Sequence, residues 1–332
     1  MRILPLAAVA LTAAAAGLAA SCTQSRAEHL ASVNPAFMDT TVAPGADFYA
    51  YVNNGWMAAH PLTDEFARYG QFNILNDSSE ARVRSLVEGL GATNPEEGSV
   101  AYKVWTVYSQ AMDTARRDSE GAKPILADLK KIEDTPHEGM ADLFMWMHGN
   151  YASPFFSAGP MEDMANSDVY AMYIGGGGMG MGDRDYYLKN DERNTAVRNA
   201  YKALVSAQMQ NAGYSAEDAA RIVANVMKVE TALADSAFTR EESRDLARMH
   251  NRRSIAQVKE RYPNIDWDNF FVKTMCIETP DTLIVTELKS VDRSSQLLSS
   301  LSDREINDYY LWKYVAQAAP YLSSAFTDAS FE

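Results

Sequence analysis

A chain of 332 residues is long enough for one large or two ordinary domains. Its 47% hydrophobic content is typical of a globular protein that buries a sizeable core. The formal net charge is −14, and no basic cluster larger than a pair such as Arg252-Arg253 interrupts it. This acidic balance argues against a nucleic-acid partner and against a surface for anionic membranes.

The first residues have the pattern of an export signal. Arg2 precedes an Ala/Leu-rich segment from Ile3 to Ala20, and small residues then lead directly into Cys22. Small residues before a cysteine resemble a bacterial lipobox, although Leu18 lies one place earlier than is usual. We therefore predict a lipoprotein signal peptide at 1–21, lipidation of Cys22 and a flexible tether at 22–34.

Two alternatives remain for this segment. Cleavage after Ala20 would give a secreted protein, whereas a retained anchor helix is disfavoured because the apolar run is short against the ~20 residues of a membrane span. The protein is exported whether it is a lipoprotein or a secreted protein. We expect a bacterial membrane-anchored lipoprotein in the periplasm or on the cell surface, with secretion as the alternative.

The cysteine count excludes a disulfide framework. The chain has two cysteines, and lipidation of Cys22 leaves Cys276 without an internal partner. Cys276 stands between Met275 and Ile277, so we predict that it is a buried apolar residue.

From Pro35 onward the pattern is mostly helical. Several N-cap signals begin predicted helices, and glycine or proline ends them. The predicted helices are one capped by Ser78-Ser79-Glu80 and stopped by Gly91, then 99–117, 124–132, 140–147 and 194–211, then three that follow Ser215, Ser254 and Ser302, the last of these ended by Pro320.

Two short segments are predicted to be strands. Residues 168–174 are rich in β-branched and aromatic residues, and a second candidate lies near 283–286. The predicted fold class is therefore mainly α, a multi-helix domain with minor β.

A glycine-rich loop follows the first predicted strand. Gly175 to Gly180 satisfies G-x-G-x-x-G, but a dinucleotide site needs a helix N-terminus directly after the loop. Asp183 and Asp185 follow instead, and their charge would repel a phosphate. We interpret the glycines as permitting a tight chain path, with Arg184 paired to a carboxylate.

The histidines do not form a zinc motif. A zinc peptidase helix needs two histidines one turn apart with a glutamate between them. The five histidines are His29, His60, His137, His148 and His250, and no two are four residues apart. In His137-Glu138-Gly139-Met140-Ala141, alanine occupies the second histidine position. We therefore predict no catalytic and no metal-binding residue in this chain.

Several longer phrases occur in a fixed order along the chain. They are Ala43-Pro44-Gly45-Ala46-Asp47-Phe48-Tyr49-Ala50-Tyr51-Val52-Asn53-Asn54-Gly55-Trp56-Met57, Arg68 to Leu75, Met179 to Leu188, Ala212 to Ser215, Glu230 to Ala234, Thr239 to Asp245, Tyr310 to Trp312 and Ala319 to Phe326. Jointly they resemble the neprilysin-like zinc metallopeptidases, the neprilysin and endothelin-converting enzyme type, over roughly residues 34–332. Leu246 replaces the family's usual proline. The resemblance identifies 35–332 as the N-terminal domain.

The resemblance places the chemistry elsewhere. Family members are about twice as long, and their H-E-x-x-H helix, their third zinc ligand and their main substrate-binding residues lie in the second half. Zinc is therefore expected only in a C-terminal half that this sequence does not contain. Phe326 to Glu332 resembles a family phrase broken off midway, which suggests a truncated gene, a split gene or a clipped product.

The resemblance implies the N-terminal domain of an exported zinc metalloendopeptidase, whose helical lobe caps the active-site chamber and restricts entry to short peptides. The chain alone is predicted to be inactive and to need the zinc-bearing half, in cis or as a separate chain. Aromatic faces meant for that half are then expected to be exposed; they comprise Tyr309, Tyr310, Trp312, Tyr314 and Phe326. The alternative is a non-catalytic peptide- or protein-binding surface lipoprotein. A third possibility is an unrelated helical lipoprotein.

Overall fold

A computed structural model describes residues 34–63, 66 and 68–331. The predicted signal peptide, most of the tether, Cys22 and His29 lie outside the described residues. The chain divides into two compact units, one up to Trp105 and one from Thr106 onward. Within the described part, no helix is long and apolar enough to cross a membrane.

The first unit is helical. Its elements are a 3₁₀ turn Pro35–Phe37, α1 Phe48–Ala59, α2 Gln71–Ala92 and the start of α3 Val100–Met112, which continues into the second unit. Asp47 caps α1 by accepting a hydrogen bond from the Ala50 amide at 2.9 Å. None of these three helices contains a buried residue.

The prediction that α2 begins after Ser78-Ser79-Glu80 and stops at Gly91 is wrong at both ends. Gly70 is its N-cap, and the Ser78 hydroxyl donates within the helix to the Ile74 carbonyl at 2.7 Å. Gly91 lies inside the helix, and its missing side chain makes room for the Trp105 ring, which would lie 2.5 Å from a Cβ.

The second unit contains the remaining helices. They are α4 Thr114–Glu120, α5 Leu126–Asp134, α6 Met140–Gly149, α7 Asp185–Leu188, α8 Glu192–Asn211, α9 Ala216–Ser236, α10 Leu246–Met249, α11 Ile255–Arg261, α12 Trp267–Asn269, α13 Leu288–Ser300, α14 Asp303–Ala318 and α15 Ser324–Phe331. Short 3₁₀ turns lie at Lys123–Ile125, His137–Gly139, Glu242–Arg244 and Ala319–Tyr321, and a π-helical turn lies at Phe270–Thr274.

Local capping signals located three of these helices correctly. Ser215, Ser254 and Ser302 are the N-caps of α9, α11 and α14, and each side chain accepts a hydrogen bond from an amide three residues later. The single helix predicted for 99–117 is instead two helices. Asp113 separates them, because its side chain caps α4 through the Arg116 amide.

A four-stranded sheet has the order β1-β2-β4-β3, with β1 Phe156–Asp163, β2 Asn166–Gly176, β3 Asn251–Ser254 and β4 Thr282–Val285. β1 and β2 form an antiparallel hairpin, β2 pairs with β4 in parallel, and β3 pairs with β4 antiparallel. The two predicted strands are β2 and β4. The predicted class, mainly α with a small β component, is confirmed.

The aromatic residues expected to be exposed are mostly in the core, and that expectation is wrong. Tyr309, Tyr310, Trp312 and Phe326 are at most 4% exposed. Helix α14 is enclosed by its neighbours, since Trp312 donates to the Tyr201 hydroxyl of α8 at 2.8 Å. These four side chains therefore belong to the hydrophobic core of the second unit.

Tyr314 is half-buried, with its ring stacked on Trp146 and its hydroxyl donating to Asp128 at 2.5 Å. Cys276 was predicted to be buried, but it is exposed. It follows the π-helical turn with a φ of +56°, and this turn directs it outward from the neighbouring core.

One arginine anchors the segment that leads into the last helix of the described chain. The Arg117 guanidinium donates to the main-chain carbonyls of Ala111, Pro320 and Leu322 at 2.8 to 3.1 Å. The planar guanidinium group has five N–H donors and can therefore donate to several carbonyl oxygens at once. Arg117 therefore joins the α3–α4 turn to the segment that leads into α15.

Candidate functional site

The glycine-rich loop takes a path that only glycine permits at its centre. Gly178 has a φ of +92°, and a Cβ there would lie 2.3 Å from the Pro154 carbonyl oxygen and 2.4 Å from the Tyr309 hydroxyl. The loop continues through Gly182, at a φ of +74°, to the four-residue helix α7. No long helix begins directly after the glycines, so the geometry is that of a packed chain turn.

A buried carboxylate fixes this loop. Glu230 of α9 is 0% exposed, and its Oε2 accepts from the Tyr187 hydroxyl at 2.6 Å and from the Gly180 amide at 3.1 Å. Its Oε1 accepts from the Tyr201 hydroxyl at 3.0 Å. Buried charges in proteins are normally compensated in this way. Glu230 thus joins the loop to α7, α8 and α9.

The donors to Glu230 are themselves held in place. The Met181 amide donates to the Tyr187 hydroxyl at 2.9 Å, and Trp312 donates to the Tyr201 hydroxyl. Burial raises the pKa of Glu230, while the nearby Lys313 ammonium opposes that shift. Burial and the Glu230 charge both raise the pKa of the Tyr187 and Tyr201 hydroxyls, which therefore remain donors.

The cluster around Glu230 has a structural role. Glu230 is 0% exposed, so no substrate can reach the carboxylate to exchange a proton with it. Buried polar networks that are fully satisfied rigidify a fold. In the sequence, Glu230 is noticeable only as part of the family phrase Glu230 to Ala234. A usable signal was present, since Glu230 lies on the apolar face of α9 between Val226 and Leu233.

Arg184 does not pair with a carboxylate as expected. Its guanidinium donates to the main-chain carbonyls of Ala234 at 3.1 Å and Asp235 at 3.3 Å, at the end of α9. The carboxylate of the loop, Asp183, instead pairs with Arg240 at 2.5 Å. The pKa of Asp183 is lowered by the Asp185 amide and by Arg240.

The described histidines are separate from one another. His60, the C-cap of α1, donates from Nδ1 to the Trp56 carbonyl. His137 contacts Asp303, and His250 contacts the buried Asp163. His137 lies at the start of α6, in the 3₁₀ turn that precedes it. Its Asp303 hydrogen bond raises the pKa of the imidazole.

His148 has an unusual environment. Its Nδ1 lies 3.0 Å from the Phe144 carbonyl oxygen, and its Nε2 lies 3.1 Å from the Phe156 carbonyl oxygen. A neutral imidazole can donate from only one nitrogen. Burial nevertheless lowers the pKa of His148, so the neutral ring predominates at pH 7 and one carbonyl contact is left without a donor.

Across residues 34–63, 66 and 68–331, no three His, Cys, Asp or Glu side chains gather where they could hold a metal ion. A zinc site needs three or four such ligands around one point. The described residues therefore do not fit a zinc ion.

Comparisons with known proteins agree with the sequence resemblance. The family model described as Peptidase family M13 matches residues 44–332. Endothelin-converting enzyme 1 of Bos taurus is 27% identical over 303 residues, which are 88% of this chain and 40% of that protein. Endothelin-converting enzyme-like 1 of Homo sapiens is 26% identical over 316 residues, again with 40% of that protein covered. The chain thus spans about two fifths of the curated relatives that it matches.

Solved structures show the same fold. The zinc metalloprotease Zmp1 of Mycobacterium tuberculosis, in complex with an inhibitor, matches 90% of this chain with a TM-score of 0.81 and 22% identity, and 46% of that chain is covered. PepO from Lactobacillus rhamnosis HN001 matches 86% of this chain with a TM-score of 0.69 and 16% identity, and 45% of it is covered. The resemblance to the neprilysin-like peptidases is confirmed, and the chain belongs to peptidase family M13.

Proposed function

We propose that this chain is the N-terminal lobe of an exported zinc metalloendopeptidase that cleaves short peptides. The observation that carries the proposal is the family match from residue 44 to residue 332, combined with a fold that matches part of a zinc metalloprotease. In this proposal the helical lobe restricts access to the active-site chamber. Catalysis is supplied by a zinc-bearing polypeptide, in cis or as a separate chain.

The Glu230 cluster supports the role of a rigid lobe. A lobe that limits substrate size must hold its loops in place, and Glu230 joins four segments of the second unit through buried hydrogen bonds. The described residues offer no group of zinc ligands. We therefore expect the chain alone to bind no stoichiometric zinc and to cleave no peptide.

The first unit carries exposed apolar stripes on two helices. On α2, Phe72, Leu75, Val83 and Leu86 recur at helical spacing and are 58–88% exposed. Val100 begins a second stripe on α3 and is 78% exposed. Apolar helix faces of this kind are normally covered in a folded protein. We propose that they contact the zinc-bearing half.

One association experiment tests this proposal. The DNA directly downstream is searched for a reading frame that encodes H-E-x-x-H, and its product is co-expressed with this chain. We expect the two polypeptides to co-purify and to show chelator-sensitive cleavage of a short peptide with a large apolar residue. A co-purified pair without cleavage, or the absence of such a frame, would favour the non-catalytic binding lipoprotein.

A charged substitution on the apolar stripe of α2 tests whether this stripe is the docking surface. Leu86 is 72% exposed, so Leu86→Asp is expected to leave the fold intact and to abolish co-purification. Val169, on the β1–β2 hairpin and 45% exposed, provides the matched control Val169→Asp, which should co-purify normally. Equal loss in both variants would show that the α2 stripe is not the docking surface.

We further propose that the chain is exported and anchored by lipid on Cys22. The supporting evidence is the apolar N-terminal segment and the cysteine that follows it. Metabolic labelling with an alkyne fatty acid tests this directly. The label should appear on the wild type and disappear in Cys22→Ser, whereas labelling of both would place the lipid elsewhere.

A further inference from the structure

A cavity of about 420 Å³ opens in the second unit beside the glycine-rich loop. The loop contributes Met179 and Gly180 to its wall, and α8 and α14 contribute the apolar residues Leu204, Trp312 and Ala316. Small-molecule sites in proteins fall mostly between about 300 and 1,000 Å³. The cavity therefore has room for a small organic molecule.

Lys313 of α14 places a primary amine on the loop side of this cavity. Its side chain is half-buried and lines the cavity. Its Nζ lies 3.4 Å from the carbonyl oxygen of Gly178, the residue directly before the two loop residues in the cavity wall. That distance is longer than the usual range of about 2.7–3.2 Å for an N–H···O hydrogen bond. The amine is therefore held only weakly by the loop.

No carboxylate pairs with this amine among the described residues. Lys313 is in no ion pair there, and the long hydrogen bond to Gly178 is its direct polar contact. The Glu230 carboxylate already accepts from two tyrosine hydroxyls and one amide. Burial lowers the pKa of Lys313, although the Glu230 charge opposes that shift. A half-buried ammonium without a paired anion favours the neutral amine, which is the nucleophilic form of lysine.

We propose that the Lys313 amine is a modification site that forms an imine with a small apolar aldehyde in this cavity. The Nζ lone pair attacks the carbonyl carbon and forms a C–N bond. The carbonyl oxygen then leaves as water with the two N–H protons of the amine, and a C=N bond remains. Water is the only other product, so the step needs no oxidant or reductant. The apolar group of the aldehyde packs on Leu204 and Trp312.

Reductive labelling of the purified chain tests the proposal, with isovaleraldehyde as the probe. At pH 7, sodium cyanoborohydride converts each imine into a stable secondary amine, and peptide mass spectrometry measures the label at every lysine. Lys130 and Lys189 are internal controls, because both are exposed and each has a pKa raised by a hydrogen bond to an aspartate. We expect Lys313 to be labelled at least about fivefold faster than either control. Equal or slower labelling of Lys313 would overturn the proposal.

A second probe tests the class of aldehyde. Glyoxylate carries a carboxylate, which would meet the charge of Glu230 and the apolar wall of the cavity. It should therefore label Lys313 no faster than Lys130. A preference for Lys313 that is as large with glyoxylate as with isovaleraldehyde would contradict the assignment to an apolar aldehyde.

Variants test whether the aldehyde reacts inside the cavity. Ala316→Trp fills the cavity and should remove the preference for Lys313 over Lys130. Gln210→Trp is the matched control, because it adds the same side chain at an exposed position of α8, and it should keep the preference. Thermal unfolding confirms that each variant is folded. If Ala316→Trp does not fold, the smaller Ala316→Leu should still reduce the preference, and an unchanged preference in a folded Ala316 variant would contradict the assignment. This test uses the chain alone, so its failure leaves the lobe proposal standing.

Discussion

The buried carboxylate of Glu230 gives a quantitative prediction for the second unit. Glu230→Leu removes the acceptor for the Tyr187 hydroxyl, the Tyr201 hydroxyl and the Gly180 amide. A buried donor left unpaired costs about 1–3 kcal/mol. Three such donors give an expected loss of about 5 kcal/mol in the free energy of unfolding, a large share of the 5–15 kcal/mol typical of a protein.

The conservative variant separates hydrogen bonding from packing. Glu230→Gln keeps one acceptor oxygen for Tyr187 and Gly180 but turns an N–H toward Tyr201. We expect it to cost about 1–2 kcal/mol, well below the leucine variant. Glu217, exposed at the start of the same helix, supplies the control Glu217→Leu, which should cost less than about 1 kcal/mol.

Urea unfolding monitored by circular dichroism and tryptophan fluorescence measures these differences. The midpoint should fall in the order wild type, glutamine variant, leucine variant, with a similar slope for all three. If Glu230→Leu fails to fold, Tyr187→Phe provides the comparison, because it removes one donor and should cost about 1–3 kcal/mol. A loss below 1 kcal/mol in Glu230→Leu, or equal losses in both Glu230 variants, would refute the account of the cluster.

Three further predictions concern the second unit. Gly178→Ala should lower the free energy of unfolding by at least 2 kcal/mol more than Gly182→Ala, since both have positive φ but only Gly178 has backbone and hydroxyl atoms within 2.4 Å of a Cβ. Arg117→Met should raise amide hydrogen exchange in Tyr321 and Leu322 about tenfold, because two carbonyl contacts to the segment before α15 are lost. His148 should reduce stability as pH falls below about 6.5, because its lowered pKa means that the unfolded chain binds the proton first.

Each of these three predictions can be contradicted by a specific result. Equal losses for the two glycine variants would remove the steric argument at Gly178. Exchange that rises throughout the protein in Arg117→Met would mean global rather than local loosening. His148→Gln should flatten the pH dependence of urea unfolding between pH 7 and 5 relative to the wild type, and an unchanged slope would rule out His148 as its source.

Local chemistry predicted much of the fold. The serine caps of α9, α11 and α14 act through amides three residues away, so a short stretch of sequence contains all the information required. Strand β2 could be predicted because β-branched and aromatic residues cluster in it. Its hairpin partner β1 contains Gly159 and Pro160, which are unfavourable in strands, and pairing with β2 determines its conformation.

Long-range contacts account for what the sequence did not reveal. The burial of α14 depends on its neighbours, such as Tyr201 in α8, which lies 111 residues away. Glu230 likewise meets Tyr187 and Tyr201 only after folding. Cys276 resembled a core residue from its neighbours, but a π-helical turn directs it outward. Tertiary packing decides all three.

Chelator-sensitive cleavage shows directly whether peptide hydrolysis needs a zinc-bearing polypeptide besides this chain. A short peptide with a large apolar residue is incubated with the purified chain and zinc, alone and together with the H-E-x-x-H polypeptide. We expect no cleavage by the chain alone and chelator-sensitive cleavage by the pair. One zinc ion per chain, with chelator-sensitive cleavage by the chain alone, would contradict it.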